Sequence, residues 1–233
     1  MTVKFLKKDL LDVKTQLKKQ YNYVVPTTRV QTFCLLHKRI FCLSDLVYQL
    51  NNLDSIRMEF LDELRSDLVH VLTFVSLGFK KPLALSIRSC IEDVIRHIYY
   101  KDHPIEFQLL NETGDTQISV TSTFDYFNDH PLFKKFKGFH MIYDHLSNQY
   151  SETSKLIHGS SIKHFQLSKS ISQLGMSDME FKKQTTDIGK LIDDLITSII
   201  IFHKEHFNQI HHEHKTLIFS CVSPTHKKII HRI

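Results

Sequence analysis

Turn-forming residues are scarce in this chain. Only 6 glycines and 5 prolines are spread over 233 residues, so the backbone has few places to reverse and its elements must be long. Long elements with little punctuation favour helices over many short strands. A hydrophobic content of 42% supplies a core, and 17 phenylalanines and 8 tyrosines argue against global disorder. The length suits one large domain or two small ones. Because the helical pattern runs on without a boundary, the expectation is all-α: a single helical-bundle domain, residues 1–233, of about six to seven helices.

Apolar periodicity places those helices. Leu6, Leu10, Val13 and Leu17 predict a basic N-terminal helix over 3–20, with Lys7, Lys8, Lys14, Lys18 and Lys19 on its wet side. A second helical region runs from Thr28 to about Asn51, with Ser44 and Asp45 as candidates to cap a fresh turn inside it. A third starts near Asp54 or Ser55, buries Leu61, Leu64, Leu68, Val71, Leu72 and Val75, and stops at Gly78. Pro82 suits the first position of a fourth, which runs to about Tyr100 before His103-Pro104 ends it. Residues 101–140 are less regular, with a turn at Gly114-Asp115, a short strand over Gln117–Val120, and a short helix over Phe124–Asn128 capped by Ser122 or Thr123. A fifth long helix covers Phe139 to His158 and stops at Gly159. A polar loop over Ser160–Ser177 leads to a last long helix from Asp178 to about His211. The tail, 212–233, holds Pro224 and a basic run, His226–Arg232, that suits another short helix.

The formal charge is +5 with 16 histidines counted as neutral. This mildly basic balance permits nucleic acid or an acidic partner without demanding either. Cys34, Cys42, Cys90 and Cys221 form no C-x-x-C pair and no zinc-like spacing, and read as buried thiols in a reducing compartment. The first ten residues lack the apolar core of a signal peptide. The run Ile196–Phe202 is far too short to span a bilayer. The expected setting is cytoplasmic, away from membranes. His203, His206, His211, His212 and His214 cluster late in the chain, but no His-Glu-x-x-His pattern is present and a helix C-terminus suits histidine by itself. No metal or cofactor is assigned.

Two polar stripes stand out. Residues four apart on a helix lie about 40° apart around its axis. Arg88, Glu92 and Arg96 therefore form a ladder on the fourth helix, in which both arginines can pair with Glu92. Leu85 and Tyr99 share their side, while Asp93 and His97 fall well round towards the opposite side. On the fifth long helix Tyr150, Ser154 and His158 repeat the arrangement, beside Tyr143 and Ile157. Both stripes border apolar faces, where charges need partners or a ligand. The economical expectation is that they meet, with Glu92 accepting from a hydroxyl or imidazole and the arginines presenting donors to a phosphate. A buried polar network that pins helix register is the competing reading.

The segments carrying these stripes, Ser86-Ile-Arg-Ser-Cys-Ile-Glu-Asp-Val-Ile-Arg-His-Ile-Tyr-Tyr100 and Tyr150-Ser-Glu-Thr-Ser-Lys-Leu-Ile-His-Gly-Ser-Ser161, resemble the HEPN superfamily of bacterial helical proteins. The resemblance implies a HEPN-like core over about 54–211, in a helical bundle that is often dimeric. Many such proteins are RNases of toxin–antitoxin, abortive-infection or phage-defence systems; others are non-catalytic modules that bind a partner protein. It thus implies RNA, a partner protein of a defence system, or a second copy as binding partners. The family's usual catalytic signature is an arginine followed four to six residues later by a histidine. Only Arg65 and His70 have that spacing here, about 140° apart around the helix. The preferred constellation for RNA cleavage is Arg88, Glu92, Arg96, Tyr150, Ser154 and His158, with Arg65 and His70 as the weaker alternative.

Overall fold

The computed structural model describes residues 2–53, 58–114, 118–136, 138–159 and 175–231. Those residues hold twelve α-helices, one 3-10 turn and no strand. The helices are α1 (Thr2–Tyr21), α2 (Val30–Leu53), α3 (Glu59–Leu77), α4 (Lys80–Asp102), α5 (Pro104–Thr113), α6 (Val120–Asp129), α7 (Pro131–Lys134), α8 (Phe139–His158), α9 (Asp178–Phe202), α10 (Lys204–Gln209), α11 (His212–Cys221) and α12 (Pro224–Ile230). Six are long, and they coincide with the six strongest apolar patterns in the sequence. The count exceeds the expected six to seven because the irregular middle and the tail are themselves short helices. Weak periodicity hides such helices, since each needs only one turn of apolar contact to dock.

The boundaries follow local chemistry. Gly78 ends α3 in the left-handed conformation at φ 77°, with its N–H on the Phe74 and Val75 carbonyls. A Cβ at that position would stand 2.5 Å from the Gly175 Cα, so the turn excludes any side chain on two counts. Pro82 lies inside the first turn of α4, two residues after its start, where a missing N–H costs nothing. Pro104 ends α4 and opens α5. A capping box, Ser177 with Glu180, opens α9.

Several expectations are corrected. Ser44 and Asp45 cap nothing, because α2 is continuous through them. Of the expected strand, Gln117 lies outside the described residues, Ile118 and Ser119 have no strand pairing, and Val120 opens α6. The cap of α6 is Ser119, which accepts the Ser122 N–H. The third helix's expected start at Asp54 or Ser55 and most of the polar loop, 160–174, also lie outside the described residues. The last long helix breaks at His203, where φ −102° and ψ 31° leave the helical range, and α10 follows.

One core cluster runs from Leu17 on α1 to Ile230 on α12. Helix α4 is its axis: it packs against α3, α8, α6, α9 and α5. Asp93 and His97, on the side of α4 opposite the ladder, are therefore also buried, 5% and 3% exposed. Cys42 on α2 and Cys221 on α11 stand side by side in the core, with Cα atoms 7.1 Å apart. Cys34 and Cys90 are unpaired thiols. No spacing rule could reveal a pair separated by 179 residues. No helix among the described residues is long and apolar enough to cross a membrane.

Candidate functional site

The two stripes meet at the seam of α4 and α8. Arg88 stands at the centre. Its Nε donates to Glu92 Oε1 at 2.9 Å, one Nη donates to the Tyr150 hydroxyl at 2.8 Å, and the other lies 3.2 Å from His158 Nε2. The Tyr150 hydroxyl in turn donates to Glu92 Oε1 at 2.9 Å. Arg96 sits more loosely, 3.6 Å from Glu92 Oε2. Arg88 thus spans two turns of α8, from Tyr150 to His158, while Glu92 pairs back with Tyr150, so the two helices run antiparallel here. Helical spacing of four alone produces this zipper. Ser154 lies on the same stripe, but its hydroxyl is enclosed and makes no hydrogen bond.

The cluster is half-buried: the side chains of Arg88, Glu92 and Arg96 are 24%, 15% and 29% exposed. Its electrostatics are cationic, two guanidiniums on one carboxylate. Burial lowers the Arg88 pKa, but the Glu92 charge and the bonds to Glu92 and Tyr150 outweigh it and the net shift is upward. Burial and the Glu92 bond raise the Tyr150 phenol, so it stays a neutral donor. A guanidinium can only donate, so this contact uses the lone pair of His158 Nε2. A cavity of about 670 Å³ is lined by Ser89 of α4, Ile157 of α8, and Asp67 and His70 of α3, and by none of the six stripe residues.

Arg65 and His70 also fall together. Both line a larger cavity of about 1050 Å³ between α1, α2 and α3. Arg65 leans over the Tyr48 ring at 5.9 Å and reaches Asp62 at 3.4 Å. His70 Nδ1 lies 3.3 Å from the buried Asp67. However, Asp9, Asp12, Asp45 and Asp62 share that wall, and four carboxylates against one guanidinium repel a phosphodiester.

Sequence reasoning missed the buried acids. Asp193 and Asp194, 1% and 4% exposed, sit inside the apolar face of α9. Asp193 accepts from Arg39 at 3.2 Å and from the Ser223 N–H at 3.1 Å. Gly189 makes room for Arg39, whose guanidinium would be 3.1 Å from a Cβ there. Asp194 holds His145 of α8 and, at 2.7 Å, His226 of α12, and the bond to Asp194 raises the His145 pKa against burial. Ser223, His226 and Asp194 form a hydrogen-bonded row. Ser223 is nonetheless a helix cap: its hydroxyl receives the His226 backbone N–H. The adjacent Asp-Asp inside an apolar run was the available signal, since such acids must find partners. The histidine cluster disperses: His203 turns inward to His97 at 2.8 Å and His214 pairs with Asp45 at 2.7 Å. Among the described residues no group of three His, Cys, Asp or Glu could hold a metal ion.

The chain matches no protein-family model, no curated protein and no solved structure.

Proposed function

We propose that the chain is an RNA-cleaving effector of the HEPN-like kind, serving a bacterial phage-defence or toxin–antitoxin system, with the α4–α8 cluster as its reactive site. The observation that carries this reading is the Arg88–His158 contact at 3.2 Å. It brings an arginine and an imidazole together from two helices, in place of the local Arg-to-His spacing of the family it resembles. In the proposed reaction an RNA phosphate draws Arg88 away from His158. The released Nε2 takes the proton of the 2′-hydroxyl, the 2′-oxygen attacks phosphorus, and the 5′-oxygen leaves with a proton from solvent. Arg88 and Arg96 stabilise the charge that develops on the phosphoryl oxygens. Purified protein is expected to cleave RNA in the presence of a chelator, and His158→Ala to reduce the rate by about 100-fold or more. Unchanged cleavage in that variant sinks the assignment.

A specific observation favours a second reading, a non-catalytic module that docks on a partner protein. Glu92 Oε1 accepts from both Arg88 and Tyr150 and Oε2 faces Arg96, as expected of a network that fixes helix register. That reading predicts no RNA cleavage by the wild-type protein and a stable complex with a partner from the same defence system.

A further inference from the structure

The larger cavity has chemistry of its own. It measures about 1050 Å³, at the upper end of the ~300–1,000 Å³ typical of small-molecule sites. Its wall carries Asp9 and Asp12 of α1, Asp45 of α2 and Asp62 of α3 against Arg65 alone, a formal charge of −3 with histidines neutral. The whole chain carries +5. The concavity therefore opposes the sign of the molecule that encloses it, which selects for cations and against phosphates.

The remaining wall is apolar and aromatic. Tyr21, Tyr48 and Val69, each more than half exposed, all open onto this cavity, and Phe41 and Phe74 lie deeper. A neutral apolar guest would strip water from the carboxylates without replacing it. An inorganic cation would leave the aromatic wall unused. A guest with ammonium ends and a methylene stem satisfies both, through ion pairs to the acids and cation–π contact with the tyrosines. Arg65 already shows the fit: its guanidinium lies over the Tyr48 ring with Asp62 beside it. Capacity for a second cation remains. Asp12 has no ion-pair partner among the described residues, Asp9 uses one oxygen for His37 and Asp62 one for Asn51 and Arg65, while both oxygens of Asp45 are taken, by Gln49 and His214.

We infer that the α1–α2–α3 cavity binds an aliphatic di- or polyamine. Calorimetric titration of the full chain with spermidine tests this, beside the Asp12→Asn/Asp62→Asn double variant and a control, Asp187→Asn on α9, outside the cavity wall. Both cavity acids are exposed, so the double variant folds, and a thermal melt confirms it. Saturable binding is expected, weakened at least tenfold in the double variant, several-fold in Tyr48→Ala and not in the control. Three results would each overturn the inference: no saturable binding at millimolar spermidine, equal binding by the double variant, or equal displacement by magnesium, which marks a merely electrostatic surface.

Discussion

The α4–α8 seam and the α1–α2–α3 cavity are both polar sites on one helical frame, and they are built on opposite plans. At the seam, two arginines surround one carboxylate, Arg88 and Tyr150 both donate to Glu92 Oε1, and the side chains are mostly covered. In the cavity, acids outnumber the single arginine and several carboxylate oxygens remain open. The seam is a closed cationic network with an imidazole at its exposed end. The cavity is an open acidic one. The lesson is that an Arg–His spacing does not make a phosphate site by itself. Arg65 and His70 have the spacing in the wrong field, whereas Arg88 and His158 have the field without the spacing.

The comparison can be broken in several places. The largest expected effect lies between the two regions, where Asp67 of α3 and Asp93 of α4 are both buried, each with one oxygen lacking any hydrogen bond. Burial, then the charges of Asp67 and Glu63, push the Asp93 carboxyl up to about 8. The folded chain thus binds a proton that the unfolded chain releases near pH 4. The stability linked to that proton is full below pH 4 and is lost as pH rises to about 8. Asp93→Asn is expected to leave stability unchanged at pH 4 and to raise it at pH 9 by up to about 5 kcal/mol. Urea unfolding across that range checks this, and a gain independent of pH would contradict it.

Next in size is the seam itself. Glu92→Gln leaves Arg88 and Arg96 half-buried without a counter-charge, at an expected cost of about 2 kcal/mol in urea unfolding, below the cost for fully buried pairs because both arginines keep some solvent. The smallest effect belongs to the cavity. Asp12→Asn removes an exposed, unpaired carboxylate and is expected to change stability by less than about 0.5 kcal/mol. Equal costs for Glu92→Gln and Asp12→Asn would erase the distinction between a closed and an open site.

Much of the frame was legible in the sequence. The six long helices follow from apolar periodicity, and Gly78, Pro104 and Gly159 mark their ends. The meeting of the stripes follows from spacing plus the need to partner charges at the edge of a core. Two kinds of feature were not legible. The burial of Asp93 and His97 escapes a helical wheel, which assumes one buried face, because α4 is enclosed on several. The cavity is assembled from single residues on three helices, so no local pattern announces it. The meeting of Cys42 with Cys221 and the pinning of Asp194 by His145 and His226 depend on chain reversals that local propensity does not encode.

RNA cleavage by two single-histidine variants, assayed side by side in chelator, tests the contrast most directly. The account predicts that His158→Ala loses about 100-fold or more in rate while His70→Ala retains wild-type cleavage. Loss in His70→Ala with retention in His158→Ala would take the chemistry away from His158 and contradict it.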